Sequence, residues 1–87
     1  MDWLSLEGIP RVHAAYRVWK RCNRLLRNSR KDKNISKKIL RFMKEDVQYE
    51  FDELVDAILC LTDSQFTELR SSLKHNRLYS IVSSLSL

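Results

Sequence analysis

A single glycine, Gly8, and a single proline, Pro10, stand in the whole chain. Tight hairpin turns draw on Gly, Asn and Pro for backbone angles that other residues avoid, so a sheet-rich fold has almost nothing to turn on. A helical outcome is the natural one. Hydrophobic residues make up 44% and charged residues 31%, enough apolar material for a core and too much for wholesale disorder. At 87 residues the chain makes one small domain with little stability to spare.

Apolar periodicity supplies the helices. Pro10 suits the first turn of a helix running to about Asn28. Counted from Arg11 at about 100° per residue, Val12, Ala15, Tyr16, Trp19, Cys22 and Leu26 fall within roughly 20 to 140°, and Arg17, Lys20, Arg21, Arg24, Arg27 and Lys31 within roughly 160 to 280°. One side is apolar and the other cationic. The segment from Asn28 to Asn34 lacks apolar residues and reads as a charged loop, with Asn34 capping the next helix. That helix sets Ile35, Ile39, Phe42 and Met43 against Lys37, Lys38, Arg41 and Lys44. A further stretch carries Val47, Phe51, Leu54, Val55, Ile58 and Leu59, with Glu50, Asp52, Glu53 and Asp56 between them. Nothing from Lys44 to Val47 breaks a helix, so Ile35 to Leu61 reads equally well as one long helix or two, and a long one favours pairing with another copy. Thr62 to Gln65 has the form of a capping box. It opens a helix with Phe66, Leu69 and Leu73 inward, which stops near Lys74-His75-Asn76. Leu78, Ile81, Val82 and Leu85 then mark a short last helix. The expected fold is all-α, a small bundle of four or five helices with a long helix mediating a dimer as the extended form. Its parts are an apolar strap over 1–9, basic helices over 10–44 and acidic, apolar helices over 45–87.

The charge division is the feature that bears on function. Arg11 to Lys44 holds thirteen of the sixteen Lys and Arg residues and one acid, Asp32, while Glu45 to Leu87 carries eight acids against three bases. Like charges three and four residues apart repel by about 0.2 to 0.5 kcal/mol per pair, so the arrangement costs an isolated helix stability and asks for a polyanion or an acidic neighbour. Two His and two Cys at wide spacings make no metal site, and with one glycine neither a phosphate loop nor a nucleophile elbow can exist. The reading is therefore non-enzymatic, without cofactor or metal. Cys22 and Cys60 read as reduced and packed, which suits an intracellular, cytoplasmic or nuclear setting. No stretch reaches the roughly 18 to 20 apolar residues of a membrane span.

RNA is the expected partner, duplex favoured and without sequence preference. It would be held through Arg17, Lys20, Arg21, Arg24, Arg27, Arg30, Lys31, Lys37, Lys38, Arg41 and Lys44. Single strands call for exposed aromatic platforms, whereas Tyr16, Trp19, Phe42, Phe51 and Phe66 all fall on expected core stripes. By functional analogy alone, small helical chains that sequester duplex RNA occur among viral accessory factors. The alternative is a helical interaction module, an adaptor or inhibitor, that docks on an acidic protein surface or anchors on another protein through Trp3, Leu4, Leu6, Leu78, Ile81 and Val82. An anionic membrane surface is the third, weakest reading.

Overall fold

The computed structural model describes residues 7–73 and 77–85. Four helices follow one another: α1 (Ile9–Arg30), α2 (Lys37–Leu59), α3 (Asp63–Ser72) and α4 (Arg77–Leu85). The described residues contain no strand, and the fold is an all-α small bundle. Trp3, Leu4 and Leu6, with most of the expected strap, and the stop at Lys74-His75-Asn76 lie outside the described residues.

Gly8 starts α1. Its φ of 69° lies in the region that side chains resist, and its carbonyl accepts the N–H groups of Arg11 at 3.1 Å and Val12 at 3.3 Å. A Cβ there would also meet Gln65 Nε2 at 3.0 Å, a contact the end of that side chain can relieve, so it is the backbone angle that calls for glycine. At its far end α1 runs past Asn28 to Arg30, leaving a shorter loop than expected. Asp32, the one acid of the basic half, organises that loop by accepting the Asn34 N–H at 2.9 Å. The cap of α2 falls two residues later than expected, on Ser36, whose Oγ accepts the Ile39 N–H at 3.2 Å. From Lys37 to Leu59 the helix is then unbroken, so the one-helix reading holds. Its 23 residues span about 34 Å at 1.5 Å per residue. The capping box is present in both directions: Thr62 Oγ1 accepts the Gln65 N–H at 3.2 Å, and Gln65 Oε1 accepts the Thr62 N–H at 3.0 Å.

α1 and α2 form an antiparallel hairpin. Its open end is thickened by α3 and α4 into a core of Val12, Ala15 and Tyr16 from α1, Leu54, Ala57 and Ile58 from α2, Leu69 and Leu73, and Leu78 and Val82. The tip end projects beyond that core as a two-helix arm, and the molecule measures 47 × 28 × 21 Å. Trp19 stands at the junction, its ring 5.9 Å from Tyr16 and 5.8 Å from Phe51. The helices α3 and α4, of 10 and 9 residues, are too short to cover both hairpin helices along their length.

That shortness explains where the observed packing departs from expectation. In the arm α2 has one neighbour, and a two-helix contact covers only the narrow heptad seam of Leu40, Met43, Val47, Glu50 and Leu54. Ile39 and Phe42, expected inward, are 50% and 56% exposed, and Leu40 takes the seam instead. Leu59 and Cys60 are exposed at the end of α2, although both were expected on its apolar stripe. Conversely, Leu78 and Val82, offered above as exposed anchors, are fully buried, and Ile81 packs on the same core. Placing α4 over the hairpin consumes its apolar side.

Candidate nucleic-acid interface

The seam divides the arm into two flanks of opposite character. On α1 the residues Lys20, Asn23, Arg24 and Arg27 lie to one side of the line from Val12 through Trp19 to Leu26, while Arg11, Val18 and Leu25 lie to the other. Arg30 continues the seam at the tip, where it reaches α2. There it shares one groove with Lys37, Leu40, Arg41 and Lys44, so the cations of the two helices meet on a single flank. Lys20, Asn23, Arg24 and Arg27 line a second depression together with Arg77, and Lys20 and Arg24 extend into a third with Arg17 and Arg21. The result is a cationic strip from the start of α4 to the hairpin tip.

Not every expected residue joins it equally. Arg17 and Arg21 sit at its edge, turning toward the outer side of α1. Lys38 lies about 100° around α2 from Lys37 and points away from the groove. Lys31 is exposed in the loop. Arg77 belongs to the strip although its sequence neighbourhood gave no hint of it. Only the packing of α4 brings it to α1, where its guanidinium stands 5.6 Å from the centre of the Trp19 ring.

The strip is unneutralised by any described acid. Among the described residues Arg11 alone forms ion pairs, with Asp56 at 2.9 Å and Glu53 at 4.0 Å on the opposite flank. The hydrogen bond to Asp56 holds the Arg11 guanidinium above its usual pKa. Among the described residues no other basic side chain comes within 4.0 Å of a carboxylate. The helix ends divide in their effect. Arg27 and Arg30 favourably meet the carbonyl end of α1, but Lys37 and Lys38 stand at the positive end of α2, whose first turn contains no acid. Each such lysine costs about 0.3 to 1 kcal/mol at low salt. Folding alone gives no reason to keep them there.

Asp46 and Glu53 stand on the other flank, Glu50 in the seam beside them, and Glu45 and Asp52 on the outer side of α2. Burial, then the charges of Glu53 and Asp46, raise the Glu50 carboxyl pKa, and its Oε2 is buried without a hydrogen-bond partner. Burial, followed by Glu50 and Asp46, likewise raises the Cys22 thiol. The exposed aromatics Phe42 and Tyr49 belong to this acidic side, so they supply no stacking platform beside the cations. Among the described residues no group of three His, Cys, Asp or Glu side chains is placed to hold a metal ion, and no helix is long and apolar enough to cross a membrane.

No protein-family model, curated protein or solved structure matches this chain.

Proposed function

We propose that this protein is a non-enzymatic RNA-binding protein that grips the phosphate backbone of a duplex, without sequence preference, along the cationic flank of its hairpin. The observation that carries the reading is the convergence of Arg30 from α1 with Lys37, Arg41 and Lys44 from α2 in one groove, one helical turn beyond the depression of Lys20, Arg24, Arg27 and Arg77, with none of these bases paired to a described carboxylate. Lys and Arg in such a row follow phosphates rather than bases. Arginine forks also hold two oxygens at once. Among the described residues the exposed aromatics Phe42 and Tyr49 lie off the strip and Trp19, beneath Arg77, is half-buried against the core, which favours a duplex over a single strand. An intracellular setting belongs to the same reading, in keeping with two free cysteines; a homodimer is compatible with it and independent of it.

Gel shifts with duplex RNA, duplex DNA and single-stranded RNA at several salt concentrations test it. If about six side chains reach phosphates, the slope of log K against log salt is about −5, so a rise from about 50 to 200 mM salt weakens binding about a thousandfold. Arg24→Glu with Arg27→Glu should cut the slope to about −3.5 with the helical circular-dichroism signal intact, because both side chains are exposed and unpaired. Arg77→Ala should lower the slope by about one. A slope near zero, or unchanged binding by the double variant, would overturn the proposal. Tighter binding of single strands would overturn the duplex preference, and binding confined to anionic vesicles would move the site to a membrane surface.

A further inference from the structure

Among the described residues, the flank opposite the cations also lacks a cover. Leu25 is 53% exposed, Ile39 50%, Phe42 56% and Tyr49 60%, high values for side chains of this size. They share one side of the hairpin. The Arg11 ion pairs with Asp56 and Glu53 show which edge of α1 borders which edge of α2, and Leu25 continues that edge of α1 toward the tip. On α2, Ile39, Phe42, Asp46, Tyr49 and Glu53 fall within a sector of about 80°. With roughly 100 Å² left open on each of the four apolar side chains, the patch approaches 400 Å², at the scale where an exposed apolar surface marks an interaction site.

We infer that a second copy of this chain covers this flank, α2 lying antiparallel to α2 with Phe42 beside the two-fold axis and Lys38 facing Asp46 of the partner subunit. The argument is charge complementarity. The sign of charge along α2 reverses between Lys44 and Glu45, with only bases before the change and only acids after it. An antiparallel copy crossing at Phe42 overlaps over residues 37–47 and sets Lys38 of each helix against the acid at 46 of the other, twice, as a two-fold interface requires, while Arg41 and Lys44 fall opposite uncharged positions. The same crossing places Ile39 near Glu45 of the partner subunit. A parallel copy would set like on like. Phosphate and anionic lipid are poor occupants of a surface that carries Asp46 and Glu53. The cationic strip stays open on both copies, and the inference does not rest on RNA binding.

Sedimentation velocity without nucleic acid is the test. The wild type should sediment at twice the 10.4 kDa chain mass, and Phe42→Glu at the single mass with its helical signal kept. Lys38→Glu or Asp46→Lys alone should raise the dimer Kd by about tenfold or more, because each sets two like-charged contacts across the axis. Combined, the two changes should restore it. A wild type that stays at 10.4 kDa up to about 100 μM overturns the inference. So does a Phe42→Glu dimer, or a double variant that fails to recover. Arg24→Glu with Arg27→Glu, which tests RNA binding, should leave the mass unchanged, so either reading can fail without the other.

Discussion

Replacing Glu50 by methionine should make the protein more stable at neutral pH. Glu50 lies in the α1–α2 seam between Val47 and Leu54, at a position whose neighbours along the seam, Leu40, Met43 and Ala57 among them, are apolar. Its Oε2 is buried with no partner to replace the water it has lost. Leaving such a group unsatisfied costs about 1 to 3 kcal/mol, and the lower part of that range suits a residue that is only half-buried. Methionine keeps the unbranched shape, so the seam need not rearrange. The expected gain is about 1 to 2 kcal/mol, which in a domain of this size raises Tm by about 5 to 15 °C. Glu50→Gln, neutral but still polar, should recover part of it.

The pH dependence follows from the same cause. Burial, with Glu53 and Asp46, lifts the folded-state pKa above the ordinary value of 4.5. Between that value and the raised one the folded state holds the proton more tightly than the unfolded chain, so the wild type gains stability as pH falls through this window. Above the window the full penalty of the charged form is present, and below it the carboxyl is protonated in both states. The advantage of Glu50→Met over the wild type should therefore be greatest at pH 7 and shrink toward pH 4.5. Thermal unfolding followed by far-ultraviolet circular dichroism at a series of pH values measures both effects. Equal or lower stability of Glu50→Met at neutral pH, or a difference that does not change with pH, would refute the reasoning.

Two further outcomes check the fold. Thr62→Ala removes one arm of the capping box on the ten-residue α3 and should cost about 0.5 to 2 kcal/mol in urea unfolding, with Ser at the same position keeping most of the stability. Leu54→Ala, at a fully buried core position, should cost about 2 to 5 kcal/mol, whereas Leu25→Ala on the arm should cost less than about 1; comparable losses would mean that the arm is packed as tightly as the core.

Much of the local architecture is legible without coordinates. Gly8 and Pro10 as the only residues of their kind imply helices, Thr62 and Gln65 mark where α3 begins, and the bases from Arg11 to Lys44 define which helices are cationic. These are properties of one segment at a time. The cap at Ser36 was missed because Asp32 and Asn34 close a turn first, a competition between two local motifs that spacing does not rank. The full length of α2 was open for the opposite reason: the residues around Glu45 tolerate either outcome, and packing against α1 selects continuity.

The flanks were beyond reach. An amphipathic pattern says that a helix has an apolar side, but how much of that side is covered depends on how many neighbours lie against it and how long they are. Along the arm α2 meets only α1, so Leu40 is drawn into the seam while Ile39 and Phe42 are left outside. The same geometry separates the cations of one flank from Asp46 and Glu53 on the other, and the packing of α4 delivers Arg77 to a strip whose nearest member in the chain, Lys44, is 33 residues away. Local hydrogen bonding and side-chain periodicity settle which segments are helical; only the lateral contact between those helices decides which charges stand together and which apolar side chains still face water.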